Sequence, residues 1–407
     1  MCKFYLIILI GLLGLVPVVR KWKFSLWMIF PYYALRLSYV GFLMTRGMIG
    51  NDVRGWIEHG VRIANGEMPG LDFSTPYGLL FNVIVGASAY VWAHPFMLAL
   101  VFSLFEMAGV ILFYDMMKGE RLLPFRSSVM WLYLTSPLVM LNFGWDVQDE
   151  GILLFFVALC CLLWMRQKER LLPVAMVVAV VATKILAIIY LVPLLLMSRF
   201  RVALRFAACL MIFWSIEWFC GMHPFDLRFE RLAGSFDEIS EMMTSGNVWY
   251  LLTHVTGVRF PNVLSNGIYV AMTGGLALYC MTLVKEERKI RREDLLNLMF
   301  SVFGLSLMAF FKMSPPCYFL PVFLPICLCH VSHDDVRTVA PAMVAFGVLS
   351  MRNYWQTVFP TEGLILTTCL LVPMFILGIC VALRRAHHYG SRIVSIPSAL
   401  WSYFRSW

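Results

Sequence analysis

The stretch RGMIGNDVRGWIEHGVRIANGEMPGLDFSTPY, residues 46–77, is the only long polar segment in the first 115 residues of the chain. Long apolar runs precede and follow it. A polar segment between two apolar runs is typical of a loop that joins membrane-spanning helices and faces water. The stretch therefore predicts a helical membrane protein whose first outer loop is residues 46–77, with the acidic residue Asp52 near its start.

The composition of the whole chain agrees with this prediction. Hydrophobic residues make up 60% of the chain, charged residues make up 14%, and the mean hydropathy is +0.77. Soluble domains carry about 25% charged residues. The formal net charge of +9 comes from short basic runs between apolar segments, which is the pattern of cytoplasmic loops. We therefore expect a membrane lipid environment and no nucleic-acid partner.

The apolar runs predict the architecture. Each membrane crossing takes about 20 apolar residues, and the basic flanks of a run indicate its orientation. We expect an all-α polytopic bundle of roughly 10–12 transmembrane helices in one domain over residues 1–385. A large outer loop is expected at 222–262, and a cytoplasmic interfacial tail at 386–407. Residues 78–93 are expected to be re-entrant or to lie along the membrane. Residues 171–197 have basic flanks at both ends, which predicts a short hairpin with Lys184 near the outer surface.

Charged and polar residues beside or within apolar runs are the candidates for function. Lys184 lies among Val, Ala and Ile residues, where a charge costs a few kcal/mol unless it faces a cavity or a partner. The acidic cluster at 148–150 precedes an apolar run, and a helix cap explains one of its acids but not the whole cluster. Lys312 either snorkels from a helix end or serves a site. Glu217 lies between apolar neighbours, and either pairs with an arginine or lines a cavity.

Four segments, which cover most of residues 46–325, follow one another in a specific order. They are Asp52 with GEMPGLDFSTPYG (66–78), TSPLVMLNFGWDVQDEGILLFFVALCCLLWMR (135–166), VVATKILAIIYLVPLLL (180–196) and FFKMSPPCYFLPVFLP (310–325). This order resembles the GT-C superfamily of integral-membrane glycosyltransferases, especially the members that use polyprenyl- or dolichyl-phosphate-mannose, such as the catalytic subunit of GPI mannosyltransferase I. Arg54 stands where that subunit has the second aspartate of an Asp-x-Asp pair.

The resemblance implies a GT-C-like bundle with a catalytic first outer loop. The implied activity is inverting transfer of a sugar, with mannose favoured, from a polyprenyl-phosphate-linked donor to a glycan, lipid or protein acceptor on the extracytoplasmic side. In this scheme Asp52 is the base that takes a proton from the acceptor hydroxyl. A cation stabilises the phosphate leaving group, and the candidates are Lys184, Lys312 and Arg54.

The remaining candidate residues would contact the sugar or the acceptor. They are Gln148, Asp149, Tyr77, Trp249 and Tyr318. A divalent metal ion held by Asp52 and Asp149 is left open, and no cofactor is assigned. The expected location is a multi-pass position in the plasma membrane of a prokaryote or the endoplasmic reticulum of a eukaryote, with a partner subunit left open.

Two other functions remain open from the sequence. A transporter or lipid-handling protein without catalysis would use Lys184, Glu217 and Asp149 to line a path for an anion or a headgroup. A transporter is expected to show repeated halves, and no convincing internal repeat is present. A noncatalytic subunit of a membrane complex would need only the apolar helices, and this leaves the polar residues of the outer face unexplained.

Overall fold

The computed structural model describes residues 2–47, 50–118, 123–144, 146–221, 246–287, 292–312, 314–331, 336–351, 355–356, 358–359 and 362–389. Within these residues the chain forms helices and no strand. The helices are α1 (Cys2–Val19), α2 (Ile29–Thr45), α3 (Asn51–Ala64), α4 (Leu79–Val91), α5 (Pro95–Met116), α6 (Leu123–Thr135), α7 (Pro137–Gly144), α8 (Glu150–Met165), α9 (Leu172–Val181), α10 (Ala187–Met197), α11 (Phe200–Phe219), α12 (Val248–Thr256), α13 (Asn262–Glu287), α14 (Arg292–Phe310), α15 (Leu320–Val331), α16 (Val336–Leu349) and α17 (Gly363–Tyr389). The predicted all-α class is confirmed.

Four helices of the described chain are long and apolar enough to cross a membrane. They are α5, α11, α14 and the segment Gly363–Arg384 of α17. Several helices also expose large apolar side chains, such as Leu35 at 73% and Phe219 at 88% exposure, which suits contact with lipid acyl chains. These features support a membrane protein. Other apolar helices are only 10–17 residues long, and the expected count of roughly 10–12 crossings stays a prediction.

The expected break in residues 171–197 is present. Helices α9 and α10 are separated by a short segment that contains Lys184. Leu171, just before α9, and Arg199, just after α10, line the same cleft, so the two helices return to the same end of the bundle. The pair is therefore the predicted hairpin, and Lys184 lies at its turn.

The segment expected as the first outer loop contains a helix. Helix α3 has Asp52 in its first turn, and it packs along α4. Helix α4 has 13 residues, which is fewer than the ~20 that a straight crossing needs. The expectation that residues 78–93 are re-entrant or lie along the membrane stays a prediction.

Close packing of α5 against α8 fixes the start of α8. A Cβ atom on Gly151 would lie 2.7 Å from the carbonyl oxygen of Phe102, so only glycine allows this approach. Glu150 is the residue directly before Gly151, at the start of α8. Asn247 begins α12, where its side chain accepts a hydrogen bond from the Tyr250 backbone N–H at 3.0 Å.

Two predicted segments fall largely outside the described residues. The large outer loop was expected at 222–262, and the described part begins at 246. The interfacial tail was expected at 386–407, and the described part ends at 389, inside α17. Both predictions stand as made.

Candidate functional site

Asp52 is exposed in the first turn of α3, where a carboxylate complements the positive end of the helix dipole. The side-chain amide of Gln148 donates to Asp52 Oδ2 at 3.1 Å. Gln148 belongs to the short segment that joins α7 to α8, and its backbone N–H donates to the Asn142 carbonyl at 3.1 Å. The hydrogen bond to Asp52 therefore links the polar segment 46–77 to the start of α8, two parts of the chain that are 96 residues apart.

A buried charged cluster follows directly after Gln148. Lys184 Nζ donates to Asp149 Oδ1 at 3.2 Å and to Glu150 Oε1 at 2.8 Å. The carboxylates are 1% and 0% exposed, and the lysine side chain is 18% exposed. The predicted neighbours Gln148, Asp149 and Lys184 are thus brought together, and Lys184 has the partners that a charge in this position requires.

Each carboxylate of the cluster keeps one free oxygen. Asp149 Oδ2 and Glu150 Oε2 are buried and have no hydrogen-bond partner among the described residues. A buried acceptor without a partner costs about 1–3 kcal/mol, so such atoms in a native protein require an explanation. A bound water or a ligand that donates hydrogen bonds would satisfy both.

The charge of the cluster favours donors over anions. With both carboxylates ionised, two negative charges face the single positive charge of Lys184, which leaves a net charge of −1. Burial, followed by the charge of Glu150, raises the pKa of Asp149 to about 7, while Lys184 opposes this shift. Near neutral pH the cluster therefore alternates between a net charge of −1 and a neutral state.

Aromatic side chains surround the cluster. The Tyr318 ring centroid is 5.0 Å from Lys184 Nζ, and the Tyr190 hydroxyl donates to the Tyr318 carbonyl at 2.7 Å. Tyr77 stacks on Phe81 with ring centroids 4.1 Å apart. Burial raises the pKa of Tyr77 well above its usual value, and the charges of the cluster act on it as well. The predicted Tyr77 and Tyr318 therefore belong to the same site as Lys184.

Backbone contacts place Tyr77 beside the turn of the α9–α10 hairpin. The Gly78 N–H donates to the Thr183 carbonyl at 3.2 Å. A Cβ atom on Gly78 would lie 2.3 Å from the Val181 carbonyl oxygen, so a larger residue would push the two segments apart. Glu217 of α11 accepts a hydrogen bond from the Leu79 N–H at 3.0 Å, which caps the start of α4. The Glu217 side chain therefore holds the start of α4, which lies beside the hairpin turn, and does not contact the charged cluster through this hydrogen bond.

The structure gives Lys312 and Trp249 a different set of partners. Lys312 is buried, and its ammonium group donates to the Phe260 carbonyl at 2.6 Å. Trp249 is 4% exposed, and its indole N–H donates to the Phe310 carbonyl at 2.5 Å. Trp249 thus joins α12 to the end of α14, and Lys312, just after α14, contacts the segment between α12 and α13. Their proposed contacts with phosphate and sugar stay predictions.

Arg54 also has its own contact. It is exposed on α3, and its guanidinium donates to the Gly47 carbonyl at 3.3 Å. The Arg54 guanidinium therefore contacts the segment just before α3, and Arg54 itself lies two residues after Asp52 in the sequence. Its role as a phosphate ligand stays a prediction.

The described residues include no group of three or more His, Cys, Asp or Glu side chains that could hold a metal ion. Asp149, one of the two metal candidates, already contacts an ammonium group, and Asp52 contacts an amide. A divalent cation at Asp149 would have to compete with Lys184. The donor set thus fits hydroxyl or amine groups better than it fits a metal ion.

Sequence reasoning missed three charged residues and one tyrosine. Glu150 belongs to the acidic cluster at 148–150, but the sequence does not single it out as a site residue, and Tyr190 gives no signal in the sequence. Arg36 and Glu106 form a fully buried ion pair between α2 and α5. Their positions inside apolar runs were a usable signal, because a charge in a membrane helix needs a partner.

No protein-family model matches this chain, and no curated protein matches its sequence. The functional assignment therefore rests on the chemistry of the site and on the order of its sequence motifs.

Proposed function

We propose that the protein is an inverting glycosyltransferase of the membrane. It transfers a sugar, with mannose favoured, from a polyprenyl-phosphate-linked donor to an acceptor hydroxyl on the extracytoplasmic side. The observation that carries the proposal is the hydrogen bond from Gln148 to Asp52, because it joins an exposed carboxylate to a buried polar cluster between apolar helices. A donor with a lipid tail and a sugar headgroup needs both environments within one site.

Asp52 serves as the general base in this proposal. It accepts the proton of the acceptor hydroxyl while the hydroxyl oxygen forms a bond to the anomeric carbon of the donor sugar. The bond from that carbon to the phosphate oxygen breaks, and the polyprenyl phosphate leaves with the electron pair. Gln148 occupies one oxygen of Asp52, so the other oxygen is the one that accepts the proton.

The buried cluster serves sugar recognition. The free oxygens of Asp149 and Glu150 accept hydrogen bonds from sugar hydroxyls, and Lys184 holds the two carboxylates in place. With Asp149 ionised, the cluster carries a net negative charge that repels a phosphate. The proposal therefore changes the part given to Lys184 by the sequence, from phosphate ligand to counter-ion, and leaves Lys312 and Arg54 as the candidates for the phosphate.

The test is sugar transfer by the detergent-purified protein from polyprenyl-phosphate-mannose to a panel of glycan, lipid and peptide acceptors. The decisive variant is Asp52→Asn, which keeps the size of the side chain and removes the base. We expect transfer to fall by about 10²–10⁴-fold. The matched control is Glu58→Gln, which neutralises another exposed carboxylate on the same helix.

Thermal unfolding of both variants checks that they fold like the parent. Loss of transfer in Asp52→Asn with normal transfer in Glu58→Gln supports Asp52 as the base. Equal transfer by the parent and Asp52→Asn would refute the mechanism. If the parent neither binds nor consumes any polyprenyl-phosphate-sugar, the proposed function fails and the transporter or subunit alternative takes its place.

A further inference from the structure

A basic cleft lies at the opposite ends of α9 and α10 from Lys184. Its volume is about 640 Å³, and it is formed by the segment between α8 and α9 together with the start of α11. Four cations and one acid line it, which gives a net charge of +3. Glu169, the acid, is 3.4 Å from Arg199 and offsets one of the four charges. The lining residues are Gln167, Lys168, Glu169, Arg170, Leu171, Arg199 and Arg205.

Two helix N-termini open onto this cleft. Leu171 and Arg199 line it, and they are the residues that precede the first turns of α9 and α11. Neither helix has a side-chain hydrogen bond that caps its first backbone N–H groups. The helix dipoles add positive potential to that of the side chains. The cleft is thus suited to an anion through two independent features.

The charged residues at these two helix N-termini are basic, whereas acidic residues are usual there. Acidic residues stabilise the first turn of a helix, whereas here Arg170 precedes α9, and Arg199 and Arg201 lie at the start of α11. Each cation is repelled by the helix dipole and by its neighbours. Local conflicts of this kind in natural proteins concentrate at functional sites, where a ligand supplies the missing charge.

Exposed apolar side chains adjoin the cations. Phe200 is 80% exposed, Leu204 is 59% exposed and Leu171 is 57% exposed, and all three lie within one residue of a cationic cleft residue. Helix α11 is long and apolar enough to cross a membrane, and only 22% of its apolar window is buried within the protein. A ligand with an anionic head and acyl chains can therefore fill the cleft and lie along α11.

We propose that this cleft binds the headgroup phosphate of an anionic membrane phospholipid. The cations and the two helix N-termini contact the phosphate, and the acyl chains pack on Phe200, Leu204 and the outer face of α11. The exposed apolar rim favours a phospholipid over a free phosphate ion. This inference does not depend on the proposed glycosyl transfer, because it uses other residues at the far end of the α9–α10 hairpin.

Basic residues at cytoplasmic helix ends also serve topology, so the test needs a control with the same charge. The test variant is Arg170→Gln with Arg199→Gln. The control is Arg20→Gln with Lys23→Gln, which removes two exposed cations from the segment between α1 and α2. A third variant, Arg170→Lys with Arg199→Lys, keeps the charge and shows whether the glutamine variant fails only through misfolding.

Each protein is reconstituted with phosphatidylglycerol, with phosphatidylcholine, or with phosphatidylcholine plus inorganic phosphate. Retained lipid is measured by native mass spectrometry, and stability by thermal unfolding. We expect the parent to retain phosphatidylglycerol about tenfold better than phosphatidylcholine. The glutamine variant should lose this preference, and the control and lysine variants should keep it.

Three results would overturn the proposal. The first is equal retention of the two lipids by the parent. The second is an equal loss of preference in the test and control variants, which would mean that total charge and not the cleft decides. The third is stabilisation by inorganic phosphate that matches that by phosphatidylglycerol, which would identify a site for a free anion.

Discussion

Lys184 is the residue on which the geometry of the cluster depends. It is the cation that Asp149 and Glu150 share, at 3.2 and 2.8 Å. We expect Lys184→Met to lower the free energy of unfolding by about 3–5 kcal/mol, because it leaves two buried carboxylates side by side. Thermal and denaturant unfolding in detergent measure this loss. Adding Glu150→Gln to the variant should recover part of it, and an undiminished stability of Lys184→Met would show that the cluster is not ionised as described.

Asp149 is expected to give sugar binding a pH dependence near neutrality. Burial and the charge of Glu150 raise its pKa to about 7, so it gains a proton as the pH falls through that value. A protonated carboxyl accepts hydrogen bonds less well. If Asp149 binds sugar hydroxyls, KM for the sugar substrate should rise by up to about tenfold for each pH unit below 7. The Asp149→Asn variant should lose this dependence.

The opposite pH dependence would identify a different ligand. Protonation of Asp149 removes the net negative charge and leaves Lys184 paired with Glu150 alone, so tighter donor binding at low pH would restore the role that the sequence suggested for Lys184. Titration of His59 does not contribute to a pH dependence near pH 7. Burial and the nearby Arg62 lower its pKa from the usual 6.5, so it stays neutral there.

Several site residues were predictable one at a time. Lys184 and Asp149 stood out because charged groups in apolar sequence need a partner, and the structure pairs them. Asp52 and Gln148 stood out as polar residues at the ends of apolar runs. The partners themselves were not predictable, because residues 35 positions apart in the sequence meet only through the packing of α8 against the α9–α10 hairpin.

At the scale of elements, the contact between the start of α4 and the hairpin turn is the one most open to test. We expect Gly78→Ala to lower sugar transfer and stability together, because its Cβ would lie 2.3 Å from the Val181 carbonyl oxygen and would displace the turn that carries Lys184. The measurements are transfer rate and thermal unfolding. The expected destabilisation is about 1–3 kcal/mol, typical of overpacking.

Gly55→Ala is the matched control for this variant. Gly55 lies inside α3, and apart from its chain neighbours and the backbone of α3 no atom is within 4 Å of the position that its Cβ would occupy. Alanine favours a helix over glycine by about 0.5–1 kcal/mol, so this variant should be slightly more stable than the parent. If both substitutions behave alike, the close approach at Gly78 does not position the hairpin.

The elements themselves were predicted with mixed success. The hairpin of α9 and α10 followed from basic flanks at both ends of a run too long for one crossing and broken by a lysine. The segment 46–77 was expected as a loop with a catalytic aspartate, and it contains the 14-residue helix α3. Position 52 is accordingly held by a helix, which gives the carboxylate a defined direction relative to Gln148.

At the scale of the whole molecule, a buried polar network joins three helices. Arg36 of α2 forms an ion pair with Glu106 of α5 and donates to Ser103 at 3.2 Å. The Tyr133 hydroxyl of α6 donates to Glu106 at 2.9 Å. The network ties α2 and α6 to α5, which in turn packs on α8 and holds the start of the candidate site.

We expect Glu106→Gln to destabilise the protein by about 3–5 kcal/mol, because it leaves the guanidinium of Arg36 buried without a counter-charge. Ser103→Ala is the control, since it removes one neutral partner of the same guanidinium and should cost about 1 kcal/mol. Thermal unfolding in detergent compares the two. Equal losses would mean that the ion pair contributes no more than an ordinary hydrogen bond.

The sequence by itself determined the properties that follow from the kind and order of residues. These are the all-α class, the apolar helices that could cross a membrane, the break at Lys184 and the set of polar residues suited to a site. Each can be predicted from a local pattern. A run of about 20 apolar residues indicates a helix that could cross a membrane, and a charge within such a run indicates a partner or a cavity, whatever the rest of the chain is.

Only the tertiary structure decided which of those residues act together. It paired Asp52 with Gln148, and Lys184 with Asp149 and Glu150, through hydrogen bonds, and it gave Lys312 and Trp249 other partners. It also left one oxygen of each buried carboxylate without a partner in the described chain. These outcomes depend on helix packing between segments that are distant in the sequence. In such packing a single glycine can determine how closely two backbones approach each other. Local sequence patterns do not predict contacts of this kind.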